Sequence, residues 1–444
     1  MLKLDLQKTL PGGVRLPHRF LSPKVYSATG VCPQHLFSVR GDSWAVQDIP
    51  AFRTVPMKPK IRVVLVGPSI RFLSGISYYT IRLANAISES TEVTAVLFRN
   101  MLPRRFFPGW KRVGDPLSTV SYTADVKVME LLDWYSPISW MRAAAQLRKA
   151  DIIIFQWWTS SVAHMYAALQ FMLFRNVPII IEYHEVVDPL EHSILPIRIY
   201  SVLMGRIIRT RADGYVVHSE ADRALVETSF HVPHDKVMVI PHGLYDQYSV
   251  IEQAVARKRL GIAEEHVILF FGLLRPYKGV KNLIEAFDTL PTELLHSTRL
   301  LIIGEAWEDK DSLARAEKSP NREQITIVNR YIADDEVPVY FSAADLIALP
   351  YTRASQSGVA HIAMAFGLPI IATKVGGLEE GLQSYSGALF IAPNNNEELK
   401  RALVQLLREK GSFPPPANLA WSGIGKKWTT FLSSVILNGS KKGA

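Results

Sequence analysis

The sequence predicts an α/β protein made of two doubly wound units, each a parallel sheet covered by helices on both faces. Short continuous runs of valine, isoleucine and leucine recur along the chain and alternate with amphipathic segments of helical length. That is the pattern of strands buried on both faces. The runs fall into two series, separated by the turn-rich stretch "PHGLYDQY" at 241–248. A length of 444 residues with 48% hydrophobic content is also ample for more than one core.

In chain order, the first series of strands is expected at 61–67, 93–98, 151–156, 178–184, 214–219 and 237–241, and the second at 267–272, 299–305, 325–329, 345–351 and 368–373. The division that follows is an irregular extension over 1–57, a first Rossmann-like domain over 58–243 and a second over 244–420. A C-terminal helix over 421–444 returns to the first domain. The extension is rich in proline and glycine, lacks sustained periodicity, and has no apolar core of the kind a secretory signal needs. Met57 leads through Lys58 and Lys60 directly into the first strand of the sheets. Two readings stay open, a loosely packed extension and a translation start at Met57.

Composition narrows the function classes. Cys32 is the sole cysteine, which excludes a disulfide framework and a cysteine-based metal site and fits a reducing, cytoplasmic setting. The apolar stretch at 165–174 is cut by Arg175 and Asn176, well short of the ~20 residues a membrane-spanning helix needs. A net charge of +9 suggests an acidic partner, such as nucleotide phosphates or an anionic bilayer. Nucleic acid is not expected, because much of the excess lies in 1–56 instead of along one face of a domain. The segment 98–112, "FRNMLPRRFFPGWKR", interleaves cations with aromatic rings, and Arg104, Arg105, Trp110 and Lys111 suit adsorption to anionic lipid.

The most informative stretch is "FFGLLRPYKGVKNLIEAF" at 270–287. An apolar run stops at Gly272, and Arg275, Pro276, Lys278 and Gly279 follow before a helical pattern begins. Val280, Leu283, Ile284 and Phe287 have the spacing of one helix face, which packs that helix on the sheet. In an open parallel sheet, ligands sit beyond the carboxyl ends of the strands, where the next helix offers unpaired N–H groups. Arg275 can then grip a diphosphate bidentately and Lys278 can add a point charge.

With "YFSAADLIALPY" and "SQSGVAHIAMAFGLPIIATKVGGLEE" following in order, these residues resemble the family 4 glycosyltransferases of the GT-B fold (group 1 type). The resemblance runs from about Ile61 to "AWSGIGKKW" near the C-terminus. It implies two Rossmann-like domains facing each other across a cleft, and transfer of a sugar from a nucleotide-sugar to a hydroxyl acceptor, with retention at the anomeric carbon. The acceptor is open and includes lipid-linked or growing glycans. In "GPSIRFLSGISYYTIRLANAI" the family usually has two glycines; here Ser74 precedes the single Gly75, whose bare backbone would let donor and acceptor approach. His184, in "EYHEVVDP", takes the family's histidine position and is implied to hydrogen-bond the donor sugar near its reacting carbon. Ser357, Gly358 and Val359 open a second phosphate-binding helix, with Val359, Ile362, Ala363 and Phe366 as its apolar face. No cofactor and no metal are expected, since His184 and His192 lack a third ligand at helical spacing and Arg275, Lys278 and the helix end can neutralise the leaving diphosphate.

The sequence departs from the family in one respect. Two glutamates eight positions apart are usual, one near the sugar and one on the ribose; aligned on "AMAFGLP", these places hold residues near Ala354 and at Ile362. Glu379 and Glu380 do not fill them. The alternative to an enzyme is therefore a non-catalytic GT-B subunit that binds a nucleotide or glycan.

Overall fold

The computed structural model describes residues 60–438 apart from 73, 102–112, 116, 174–176, 187–194 and 308, with the backbone alone of 35–40, 43–48 and 439–442. It divides into two compact units, Met1–Pro59 and Lys60–Ala444. In the smaller unit, β1 (His35–Arg40) pairs antiparallel with β2 (Ser43–Asp48). The sequence reading of this region as irregular missed that pair, because runs of six residues are too short for alternation to stand out.

The larger unit holds two wholly parallel sheets. The first has β3 (Arg62–Pro68), β4 (Glu92–Asn100), β5 (Val126–Asp133), β6 (Ile152–Trp157), β7 (Ile179–Tyr183), β8 (Gly214–Val217) and β9 (Val237–Val239), in the spatial order β5-β4-β3-β6-β7-β8-β9. The second has β10 (His266–Phe271), β11 (Thr298–Ile303), β12 (Ile325–Val328), β13 (Leu346–Leu349), β14 (Ile370–Thr373) and β15 (Ala388–Ile391), ordered β12-β11-β10-β13-β14-β15. The strand order reverses between β3 and β6 in one sheet and between β10 and β13 in the other. At such switch points the flanking helices lie on opposite faces and a crevice opens beyond the strand ends.

In these two sheets the strands not expected from the sequence are β5 and β15, and both lie at sheet edges. β5 is exposed or half-buried at five of its eight positions, and β15 is four residues long and mostly half-buried. Neither is an unbroken apolar run of the kind that marks a central strand. Central strands are of that kind: β6, β7 and β10 are buried at every position.

The first sheet is covered on one face by Tyr79, Leu83 and Ile87 of the helix Gly75–Ser88 together with Trp421, Ile424, Trp428 and Leu432 of the helix Trp421–Lys442. The two helices approach so closely that a Cβ on Gly425 would lie 2.8 Å from the carbonyl oxygen of Ala86. The C-terminal helix thus closes the core of the first sheet, and Trp421 Nε1 donates to Leu244 O at 2.6 Å where the chain leaves that sheet. Among the described residues no helix is long and apolar enough to cross a membrane.

Candidate functional site

A cleft of about 470 Å³ lies between the carboxyl ends of the two sheets. Gly75 and Tyr78 line it from the first domain, and Gly272, Arg275, Lys278, Gly358 and Val359 from the second. Six of the eight site residues expected from the sequence are therefore lining residues of one cavity. The other two, Ser357 and His184, stand behind it. The basic aromatic segment with Arg104, Arg105, Trp110 and Lys111 lies outside the described residues.

The cationic side of the cleft is shaped by glycines at β10. Gly272 has φ +109°, and a Cβ there would lie 3.2 Å from Lys278 Nζ and 3.3 Å from Val359 Cγ2, so the absence of a side chain leaves the ammonium its place. A single 3₁₀ turn, Pro276–Lys278, follows, and the chain enters the helix Val280–Phe287 through Gly279. That helix buries Val280, Leu283, Ile284 and Phe287, the face read from the sequence.

Neither cation has an ion-pair partner among the described residues. The Arg275 guanidinium carbon lies 5.2 Å from the centre of the Trp307 ring, and its buried Nε has no hydrogen-bond partner. Lys278 Nζ lies 5.2 Å from the centre of the Tyr351 ring. Burial, with the nearby charge of Arg275 adding to it, pulls the Lys278 pKa below its ordinary value. Two partly buried cations without a counter-charge are unfavourable alone, and an anion placed between them removes that cost.

Ser357 has a supporting place. Its Oγ accepts from Ala360 N at 3.3 Å and caps the helix Gly358–Ala365, so Gly358 and Val359 are the residues that face the cleft. Ile362, one turn on, lines the cleft while packing in the core of the second domain, and is 8% exposed. The place where the family resemblance expects a ribose-binding carboxylate is thus an apolar wall. Glu380 is engaged elsewhere: its carboxylate accepts from Glu220 N at 2.7 Å, capping the helix Glu220–Phe230 of the first domain.

His184 does not line the cleft. Its N–H donates to Trp157 O at 2.8 Å, its ring is buried beside Tyr79 at 4.9 Å between centres, and its Nε2 lies 3.8 Å from Glu182 Oε2. Burial pulls its pKa well below the ordinary value, which keeps the ring neutral. His192, weighed from the sequence as a companion ligand, lies outside the described residues.

Sequence reasoning missed a second group, centred on Asp334. This buried carboxylate accepts from Tyr78 Oη at 2.8 Å, Tyr248 Oη at 3.0 Å and Thr119 N at 2.9 Å, joining the two domains across the cleft. In "YIADDEV" it looks like any solvated acidic loop. We expect Asp334→Ala to lower the unfolding free energy by roughly 2–5 kcal/mol in urea titration, since two tyrosine hydroxyls and a backbone amide lose their acceptor at ~1–3 kcal/mol per buried group left unsatisfied. A loss under about 1 kcal/mol would mean that water replaces the carboxylate.

Two family profiles match the chain, "Glycosyltransferase Family 4" over 73–247 and "Glycosyl transferases group 1" over 252–427. Among curated relatives, a D-inositol 3-phosphate glycosyltransferase of Kineococcus radiotolerans is 30% identical over 189 residues, 39% of this chain and 43% of that one. The lipopolysaccharide glucosyltransferase WaaG of Escherichia coli is 28% identical over 195 residues, 42% of this chain and 50% of that one. The chain thus spans about half the length of the curated relatives it matches. Among solved structures, sucrose-phosphate synthase from Thermosynechococcus elongatus superposes with a TM-score of 0.56 at 17% identity, covering 86% of this chain and 98% of the other. Anabaena HepE in complex with UDP gives 0.57 at 15% identity, covering 86% and 99%. At these identities the structural likeness bears on the fold alone. Together with the two adjoining profiles, it places the chain in the family 4, group 1 glycosyltransferases of the GT-B fold.

Proposed function

We propose that this protein transfers a sugar from a nucleoside diphosphate donor to a hydroxyl acceptor, with retention at the anomeric carbon. The observation that carries the reading is the pair Arg275 and Lys278 on the wall of the interdomain cleft, held without counter-ions among the described residues. In this reaction the bond from the anomeric carbon to the diphosphate breaks as a bond to the acceptor oxygen forms, and the acceptor's proton passes to the departing diphosphate oxygen. Negative charge develops on the departing phosphate, where a preorganised guanidinium and ammonium stabilise the transition state more than the ground state. The bare backbone at Gly272 and Gly75 leaves room for the diphosphate and the sugar.

Retention is supported by the engagement of the cleft carboxylate Asp334, which accepts from Tyr78, Tyr248 and Thr119 N and is held between the domains instead of facing an acceptor hydroxyl. UDP is the nucleotide to test first, because HepE, a structural neighbour, is seen with it. A second reading, a GT-B subunit that binds without turning over, is favoured by the apolar Ile362 at the ribose position.

Thermal unfolding with UDP-, GDP-, ADP- and TDP-sugars tests both. One of them at 100 times its dissociation constant is expected to add ~2.7 kcal/mol of stability. Protection with release of the nucleoside diphosphate on adding acceptor supports the enzyme, protection without release supports the binding subunit, and no protection by any of the four overturns both.

A further inference from the structure

We infer that His184, His218, His242 and Glu182 form a buried site for a divalent transition metal, of which zinc fits best. The ligands come from three consecutive strand ends of one sheet. Glu182 is in β7 and His184 follows it directly, His218 follows β8, and His242 lies three residues beyond β9. Because β7, β8 and β9 are neighbours in parallel register, the histidines meet although 58 residues separate the first from the last. One ligand atom from each of His184, His218 and His242 lies within 4.8 Å of the others.

The hydrogen bonding shows that something is needed between them. His218 Nδ1 is 2.9 Å from Ile240 O, and since a carbonyl only accepts, that nitrogen carries the proton. Its Nε2 therefore presents a lone pair, 3.8 Å from Glu182 Oε1, which is also an acceptor. His184 Nε2, His218 Nε2, His242 Nδ1 and Glu182 Oε1 are all buried without a hydrogen-bond partner. Glu182 Oε1 and His218 Nε2 are thus two acceptors facing each other, with His184 Nε2 and His242 Nδ1 unpartnered beside them, and a cation bound by all four would satisfy the cluster.

A shared proton accounts for less. One proton shared between Glu182 Oε1 and His218 Nε2 would still leave His184 Nε2 and His242 Nδ1 without a partner. Neutral imidazoles are the form that binds metal.

Three imidazole nitrogens and one carboxylate oxygen are a tetrahedral zinc set. Zinc–nitrogen bonds of ~2.0–2.1 Å require ligand atoms roughly 3.3–3.5 Å apart, so histidine nitrogens up to 4.8 Å apart must close by up to roughly 1.5 Å, and Glu182 Oε1, 3.8 Å from His218 Nε2, must move in with them. Outer contacts of the expected kind are present. Gln156 Nε2 donates to Glu182 Oε2 at 3.0 Å, Thr80 Oγ1 donates to Gln156 Oε1 at 2.6 Å, and Ile240 O holds the His218 tautomer. All four ligands come from the protein and none lines the cleft, which is the arrangement of a structural site and leaves the diphosphate chemistry to Arg275 and Lys278. The His242 ring lies 5.7 Å from that of His361 in the helix Gly358–Ala365, so the metal would brace three loops of the first domain against the second.

The full chain, purified without a metal-affinity tag, is expected to carry about one zinc per molecule by mass spectrometry of the metal. Dipicolinate should lower its melting temperature by several degrees, and added zinc should restore it. His218→Asn and His242→Asn should each reduce the zinc content about tenfold or more, whereas His361→Asn, beside the cluster but outside the ligand set, should keep it. If those two variants fail to fold, cobalt added to the wild-type protein reads the site directly, with the strong visible bands of four-coordinate Co²⁺ expected. Metal-free protein whose melting temperature does not move with zinc, six-coordinate cobalt, or zinc retained equally in His218→Asn and His242→Asn would each overturn the site.

Discussion

Arg275→Ala and Lys278→Ala are each expected to abolish most turnover and to weaken binding of a nucleoside diphosphate by about tenfold to a hundredfold. Each substitution removes a charge-assisted contact worth roughly 1.5–3 kcal/mol, and 1.4 kcal/mol is a factor of ten in affinity. The loss in turnover should exceed the loss in affinity, because the charge these groups meet grows as the bond to the leaving group breaks. Isothermal titration with UDP beside initial-rate kinetics separates the two. Unchanged affinity in both variants would reject the diphosphate site.

The burial of Lys278 adds a condition on pH. Its pKa is lowered in the folded protein, chiefly by desolvation, so the folded state binds this proton less tightly than the unfolded one. The charged lysine therefore costs stability in the empty cleft below its folded pKa, and the cost fades as pH rises through the window between the folded and unfolded values. A bound diphosphate raises the pKa again. Affinity should accordingly fall, with rising pH, earlier than an unperturbed lysine would allow. Lys278→Met, which keeps the apolar stem, should hold or raise the melting temperature of the unliganded protein while losing diphosphate binding. A fall of several degrees would mean that the ammonium is stabilising where it stands.

How much could be read from the sequence depended on where each residue's partners lie in the chain. The turn at Gly272–Gly279 was legible because its strand, its cations and its helix are contiguous, and periodicity alone assigns the buried face of Val280–Phe287. The central strands were legible because burial on both faces makes them unbroken apolar runs. β5 and β15 were not, because an edge strand half open to water resembles a loop.

The site's remaining members depend on contacts between distant segments. Asp334 meets Tyr78 across 256 residues, and nothing in either local sequence marks the pair. His218 and His242 were read past because each stands alone at the end of a short strand, and only the order of β7, β8 and β9 brings them to His184. A signal was present: three strands of one series each end on or shortly before a histidine. Ile362 shows the opposite limit. Periodicity put it on an apolar helix face and the family resemblance put it at the ribose place, and only the structure shows that one side chain does both, packing in the core while lining the cleft.

Gly279→Ala is expected to cause a large loss of stability and, with it, of diphosphate binding. Gly279 has φ +68°, a left-handed conformation that costs an L-residue roughly 1–2 kcal/mol. A Cβ there would also lie 2.0 Å from the carbonyl oxygen of Pro350, which is backbone at the end of β13 and cannot rotate away. The turn is fixed on that side as well, because Thr352 N donates to Tyr277 O at 2.7 Å. Either the turn carrying Arg275 and Lys278 lifts from the sheet or the segment after β13 does, and both displace the cations from the cleft wall. Gly261→Ala supplies the control. Gly261 has φ +66°, ends the helix Gln253–Leu260, and a Cβ there would meet nothing within 4 Å. The two alanine variants share the backbone cost and differ in the contact with Pro350, so the difference between their unfolding free energies isolates that contact. We expect Gly261→Ala to lose about 1–2 kcal/mol with UDP affinity intact, and Gly279→Ala to lose at least about 2 kcal/mol more with affinity reduced. Equal losses in the two proteins would show that the turn relaxes freely, and that the close packing of Gly279 on Pro350 does not hold Arg275 and Lys278 in place.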